Sequence, residues 1–380
     1  MTAGASEVEP KPGPAAAEDH SRLASLVSSL LVGAGFVPVW IVTGVLVVIA
    51  ALIAPETLSS DSFASGILPF MTFLAVAGLG EMLVIMTGGI DLSIPGVIVL
   101  VANVLVGVSS GDNSQIAVAI IACLGWSAVI GLVNGLLIGV ARLNPLIVTL
   151  AVGQIVTGIT VGYARTIANE SAVPPALSSW AIRDFLGVQW IFWVGLFLTI
   201  AVALVLRYTP VGRRFQIVGA NPRAAWIAGI HVQRYVILAY VFAAMLYGGA
   251  GILLASFIRS PSIDLGDPYL LGPIAVVVIG GASLRGGLAS ATSTWVAAFA
   301  LTLLAQMLRV LGLSTAWQYV VYGCAIAAGM VVSGDRIVGL LGAVLQRPRV
   351  RARLGIRDLE VAEPERQERR DVLEEGAPSY

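Results

Sequence analysis

The sequence predicts an all-α polytopic membrane protein of about ten transmembrane helices, some of them short or broken, with both termini cytoplasmic. The first observation is composition: 57% of the 380 residues are hydrophobic and only 12% are charged, whereas soluble domains carry about 25%. The second is a mean hydropathy of +0.91. The third is that long apolar runs recur along the chain, and a helix needs about 20 apolar residues to cross a bilayer.

Ten apolar runs are candidate spans, and the third and eighth of them are short. Short, glycine-interrupted spans indicate broken helices that line a pathway. The runs lie at 36–54, 67–87, 94–109, 115–140, 145–162, 189–207, 235–257, 272–283, 288–308 and 315–333.

The two ends of the chain differ from its middle. Residues 1–22 are polar, rich in proline and alanine and mixed in charge, which predicts a disordered cytoplasmic tail. The first apolar run, 23–54, is too long for a signal peptide and is expected to stay in the membrane. We therefore expect a transmembrane domain over 23–335 and a charged cytoplasmic tail over 336–380.

Arginines orient the predicted bundle, because cytoplasmic loops carry an excess of positive charge. The loop 208–234 contains several arginines and no acidic residue, and arginines also open the tail after residue 346. Both segments are therefore predicted to be cytoplasmic. An even number of spans then places both termini on that side.

The charged residue types exclude several classes of function. Lys11 is the only lysine, so the sequence has no phosphate-binding GxxxxGK[ST] loop and no lysine in the spans for a Schiff base. Two histidines and two cysteines do not make a conventional metal site, and no catalytic residues are predicted. The net charge of +0 gives no basic surface for nucleic acid.

A short helix is predicted within the arginine-rich loop. Asn221 is a good N-cap, Pro222 suits the first helical position and Gly229 suits the end. Such a helix, lying across the inner face, offers a small-residue surface that another protein could grip. The alternative interpretation is an ordinary loop helix.

A glycine-rich, acidic segment at 87–93 interrupts two apolar runs. It contains Gly88, Gly89, Asp91 and Ser93, and a carboxylate at membrane depth is tolerated only where protein or water surrounds it. Asp91 either caps the following helix or contacts the pathway, and the topology places it towards the cytoplasmic end. The spans are expected to contain no other acid. The segment is thus interpreted as a structural break that shapes the pathway.

A second glycine break weakly repeats the first. Gly280, Gly281 and Ser283 follow an apolar run as Gly88 and Gly89 do, which predicts a parallel internal repeat whose two breaks face one another near a central axis. The alternative is that glycine-rich turns simply look alike.

The fourth span carries glycines at every fourth position. Gly131, Gly135 and Gly139 form overlapping GxxxG motifs, which favour close packing against another helix. Asn134 lies between them and needs a hydrogen-bond partner if it is buried. It either bonds a neighbouring helix or lines the pathway. Thr149, in the next span, is a further candidate pathway residue.

Four stretches resemble a known family. Arg223-Ala224-Ala225 followed by Gly229 resembles the Glu-Ala-Ala-x-x-x-Gly motif of ABC importer permeases, with Arg in place of Glu. The longer pattern around it is similar to permeases of ribose, xylose and galactose importers. So are the stretches 83–93, 131–150 and 274–287, and the resemblance covers about 65–335. Pro95-Gly96 and Asn144-Pro145-Leu146 depart from the family pattern, which leaves the substrate open.

The resemblance implies a permease subunit of the bacterial inner membrane that carries a pentose, hexose or inositol. The chain itself would bind no cofactor, and ATP and Mg would be held by a separate ATPase subunit. A substrate-binding protein, a second permease chain (identical or paralogous) and the bilayer would complete the assembly. The residues that meet the ATPase would be Asn221, Arg223, Ala224, Ala225 and Gly229.

Two alternatives remain open at this point. The same machinery could carry branched-chain amino acids, nucleosides or an autoinducer sugar. A protein of another class, an ion-coupled secondary transporter, would use Asp91 to carry the coupling ion.

Overall fold

The computed structural model describes residues 37–167, 172–260 and 262–333, so both predicted tails lie outside the described residues. The described part is almost entirely helical. Its long elements are α1 Val37–Ile53, α2 Leu68–Met86, α3 Ile94–Ser109, α4 Ile116–Gly139, α5 Pro145–Ile167, α6 Pro175–Ile182, α7 Trp190–Tyr208, α8 Pro210–Ala220, α9 Pro222–Ile227, α10 Val232–Ile258, α11 Gly272–Ile279, α12 Ala291–Val310 and α13 Thr315–Ser333. Two short strands, β1 Asp184–Phe185 and β2 Val188–Gln189, form an antiparallel hairpin before α7.

The all-α membrane class is confirmed, and each predicted apolar run coincides with a helix. Among the described residues, 6 helices are long and apolar enough to cross a bilayer, and three apolar helices are shorter. With 8 residues, α11 is only about 12 Å long, well short of the roughly 30 Å hydrocarbon core. The exact number of crossings therefore stays a prediction.

Helix α2 forms the centre of the bundle. Every one of its residues except Phe70 is buried, and it contacts α7, α10, α11 and α12. An α-helix that is apolar on all sides is suited to such a position. Any polar group on α2 is consequently removed from both lipid and water.

The glycines of α4 pack directly against α10. A Cβ on Gly131 or Gly135 would press on the backbone of Tyr240 or Ile237, and one on Gly139 would approach the carbonyl oxygen of Gln233. The predicted packing role of these glycines is confirmed. The close fit fixes α10, and the tyrosines it carries, against α4.

Candidate functional site

The first break ends α2 through a left-handed glycine. Gly88 has a φ of 84°, its N–H donates to the Ile85 carbonyl at 2.9 Å, and the Gly89 N–H donates to the Val84 carbonyl at 3.2 Å. This pattern satisfies the last carbonyls of a helix while the chain reverses. The chain therefore turns back towards the bundle instead of leaving it.

This reversal places Asp91 deep inside the bundle. The backbone N–H of Asp91 donates to Glu81 Oε1 at 3.2 Å, and both side chains are fully buried. Glu81 lies about 7.5 Å before the end of α2, at 1.5 Å of rise per residue. Asp91 is therefore buried beside the last third of α2, and its predicted place towards the cytoplasmic end stays a prediction.

Glu81 corrects the expectation that the spans contain no other acid. Its Oε2 accepts a hydrogen bond of 2.9 Å from the Tyr247 hydroxyl, near the middle of α10. The signal was present in the sequence, since an acid within a long apolar run is itself a mark of function. Through its two hydrogen bonds, Glu81 connects α2 to α10 and to the first break inside the bundle.

The remaining predicted residues hold the break in place. Asp91 Oδ1 accepts from the Ser93 N–H at 2.8 Å and from Ser93 Oγ at 2.6 Å, just before α3 begins. Asn134 Nδ2 donates to Ser93 Oγ at 3.0 Å, and the Leu92 N–H donates to Thr149 Oγ1 at 2.9 Å. The structure thus brings Asp91, Ser93, Asn134 and Thr149 together as ties from α4 and α5 to the break.

The second break repeats the backbone of the first. Gly281 also has a φ of 84°, its N–H donates to the Val278 carbonyl at 3.0 Å, and the Ala282 N–H donates to the Val277 carbonyl at 3.2 Å. Gly280 is the C-cap of α11. Ser283 Oγ accepts only a long bond of 3.3 Å from the Arg285 N–H. The weak sequence repeat therefore corresponds to the same turn at the ends of α2 and α11.

The two breaks meet at a junction that also includes the end of α8. The Gly287 N–H donates to the Met86 carbonyl at 2.9 Å. A Cβ on Gly219 would overlap both that carbonyl and the Gly287 nitrogen. We call Met86, Gly219, Gly286 and Gly287 the glycine junction. Sequence reasoning singled out neither Gly219 nor Gly287 for this contact.

The predicted loop helix exists as α9. Asn221 Oδ1 accepts from the Ala224 N–H at 3.0 Å, Pro222 is the first residue and Gly229 ends the turn with a φ of 76°. Arg223 and Ala224 are exposed, but Ala225 is fully buried. Sequence reasoning missed the two large apolar side chains on the exposed face, Trp226 at 73% and Ile227 at 75% exposure.

A cavity of about 780 Å³ connects α9 with the first break. Its walls come from α9, the first half of α10, the end of α4 and the break itself. The lining residues include Gly88, Gly89, Gly139, Arg142, Arg223, Trp226, His231 and Tyr240. The arrangement places an open space, an exposed apolar surface and a helix break next to one another.

Comparisons with known proteins give one family and several relatives. Residues 63–329 match the family described as branched-chain amino acid transport system / permease component. The ribose import permease protein RbsC of Escherichia coli (strain K12) is 30% identical over 295 residues, 77% of this chain and 91% of the relative. The L-arabinose ABC transporter permease protein AraH of Azospirillum brasilense is 30% identical over 325 residues, 82% and 90% of the two chains.

A third relative, the galactose/methyl galactoside import permease protein MglC of Escherichia coli (strain K12), is 30% identical over 308 residues, 74% of this chain and 91% of the relative. No solved structure matches this chain.

Proposed function

This chain belongs to the permease components of ABC importers, as a multi-pass protein of the bacterial inner membrane, and we propose that its substrate is a sugar or sugar-like polyol. The relatives named above import ribose, L-arabinose and galactose or methyl galactosides. A polar but uncharged substrate also suits a bundle with few charged residues, because ionised side chains inside a membrane are costly. A pentose, a hexose or an inositol fits this description.

The proposed assembly has two permease chains, a substrate-binding protein outside and ATPase subunits inside. Both termini and α9 lie on the cytoplasmic side in this scheme, which agrees with the arginines of 208–234. About ten helices then contribute to the membrane domain, and α11 reaches only part of the way across. ATP and Mg are bound by the ATPase subunits.

The observation that carries the proposal is the exposed face of α9. Exposed aromatic and aliphatic side chains next to one another mark protein contact sites, and Trp226 and Ile227 are both about three-quarters exposed. Asn221, Arg223, Ala224 and Gly229 are exposed within the same short segment. In the proposed assembly, Ala225 supports the helix from beneath and Trp226 enters the ATPase surface.

The glycine junction connects the proposed docking helix, α9, to the ends of helices in the membrane domain. Helix α9 follows α8 directly, and Gly219 of α8 packs on Met86 and Gly287. A movement of α9 on ATP binding is therefore transmitted to the end of α2 and to the 283–287 loop. The contact that transmits it is between backbone atoms, without a side chain that could change its conformation instead. Gly88, Gly89, Gly280 and Gly281 allow those ends to reorient, which opens the pathway to one side or the other.

Co-purification with the cognate ATPase subunit tests the docking face. We expect Trp226→Glu to lose the ATPase subunit while the permease stays folded in the membrane. Leu186→Glu is the control, because Leu186 is an equally exposed apolar residue, at 78%, in the hairpin before α7. Retention of the ATPase subunit by Trp226→Glu would contradict the docking role.

Uptake with the cognate binding protein tests the substrate class. We expect ATP-dependent accumulation of a radiolabelled pentose, hexose or inositol in proteoliposomes. Accumulation of leucine or a nucleoside instead would contradict the sugar proposal and leave the importer intact. Uptake that persists without ATP and collapses with an uncoupler would contradict the importer itself.

A further inference from the structure

Within the part of the chain that the structure describes, three buried oxygen atoms around the first break have no hydrogen-bond partner. They are Asp91 Oδ2, Asn134 Oδ1 and the Tyr240 hydroxyl oxygen, and all three residues are fully buried. Asn134 and Asp91 share Ser93 Oγ as a hydrogen-bond partner. A Cβ on Gly89 would overlap the Tyr240 hydroxyl, so that hydroxyl lies directly against the break. The three atoms belong to one small region between α4, α10 and the break.

This region also holds two buried carboxyl groups, and among the described residues no cation is bonded to either of them. Glu81 is bonded to the Asp91 N–H and the Tyr247 hydroxyl, and Asp91 is bonded to the N–H and hydroxyl of Ser93. All of these donors are neutral. Buried carboxylates are normally paired with a cation or a metal ion, because an isolated charge in a medium of low dielectric constant is strongly unfavourable. A cation bound in this region would compensate a buried carboxylate.

We propose that Asp91 Oδ2, Asn134 Oδ1 and Tyr240 Oη bind a monovalent alkali-metal cation. Two of these atoms are acceptors only, and one hydroxyl hydrogen serves at most one of them. In the proposed site, one cation would take all three oxygens as ligands and compensate the Asp91 carboxylate. Hard cations take oxygen ligands of this kind. Both oxygens of Glu81 accept hydrogen bonds, whereas Asp91 keeps one carboxylate oxygen, Oδ2, that accepts none from the described residues.

The cavity beneath the break supplies an entry path. Gly88, Gly89 and Tyr240 all line it, so the cavity leads from the side of α9 to residues next to the proposed site. Once bound, the ion ties α4, α10 and the break together. Its role is to hold the break in position, and this inference does not depend on which substrate the permease carries.

Thermal unfolding of the purified full-length chain in lipid nanodiscs tests the proposal. Sodium chloride, potassium chloride and choline chloride are compared at the same ionic strength and pH. We expect a midpoint that is higher in sodium or potassium than in choline by a few degrees and that saturates with cation concentration, as for any ligand of the folded state. Equal midpoints in the three salts would overturn the proposal.

Tyr240→Phe separates a ligand role from a packing role. The Tyr240 hydroxyl makes no hydrogen bond to the described residues, so its removal should leave the midpoint in choline equal to or above that of the wild type. We expect at least a severalfold higher cation concentration for half-saturation in this variant, and no cation dependence in Asp91→Asn. Asp112→Asn, at an exposed acid that bonds only Ser114, keeps the wild-type response. A Tyr240→Phe response identical to wild type, or a midpoint that follows pH and not the cation, would overturn the site.

Discussion

The break at 87–93 and the break at 280–287 end their helices with the same turn, and the left-handed glycine of each has a φ of 84°. Their side chains differ. The first break holds Asp91 and Ser93 in a buried network with α2, α4 and α5, whereas Ser283 of the second bonds only its own loop at 3.3 Å. Side chains inside the bundle therefore fix the first break. The other is positioned through backbone contact with it, at the Gly287 N–H and the Met86 carbonyl.

The largest effect on stability is expected at Glu81, which has no counterpart at the second break. Glu81→Leu leaves the Asp91 N–H and the Tyr247 hydroxyl without an acceptor, and each buried unsatisfied group costs about 1–3 kcal/mol. We expect a large fall in the thermal midpoint of the purified chain. Glu81→Gln, which keeps one carbonyl oxygen, should fall less. Wild-type stability of Glu81→Leu would show that side chains do not hold the first break.

Substitution of either left-handed glycine is expected to lower stability by an intermediate amount that is similar at the two positions. A side chain at a left-handed position costs roughly 1–2 kcal/mol, so Gly88→Ala and Gly281→Ala should lower the midpoint by similar amounts. Gly125→Ala is the matched control, because a Cβ there meets nothing within 4 Å on a regular helix. If only one of the two substitutions destabilises the chain, the breaks do not share a backbone role.

The smallest effect on stability is expected from the loss of one hydrogen bond that holds the first break. Thr149→Val removes the acceptor of the Leu92 N–H, a loss of about 1 kcal/mol. Hydrogen exchange followed by mass spectrometry should show faster exchange in peptides over 87–93 and no change over 280–287. Ser283→Ala, which removes only the 3.3 Å bond to the Arg285 N–H, is the comparison and should alter neither segment by more than a few tenths of a kcal/mol. Equal acceleration of both segments in Thr149→Val would mean that the breaks open as one unit.

Local patterns in the sequence were enough to predict the helices and the turn chemistry. The ten apolar runs, the Asn221 cap and the glycine face of α4 all depend on spacing along one element, and the structure agrees with each. The repeat between the breaks was also readable, because each left-handed glycine follows an apolar run.

Contacts between distant elements could not be predicted in the same way. The depth of Asp91 depends on whether the chain turns back after Gly88, and its contact with Glu81 then follows from that turn. The junction of Gly219 with Met86 and Gly287 joins three segments that share no pattern. The exposure of Trp226 and Ile227 depends on which face of α9 packs on the bundle, and a helix of 6 residues is too short for its sequence pattern to indicate that face.

In the proposed mechanism, the glycine junction carries movement from α9 to the two breaks. The most direct measurement is ATP-driven uptake and ATP hydrolysis by the reconstituted transporter with Gly219→Ala, against Gly125→Ala. A Cβ at Gly219 would overlap Met86 and Gly287 without touching the exposed face of α9. We expect assembly and ATP hydrolysis to persist while uptake falls about tenfold or more, equivalent to at least about 1.4 kcal/mol. Uptake equal to wild type in Gly219→Ala would contradict the claim.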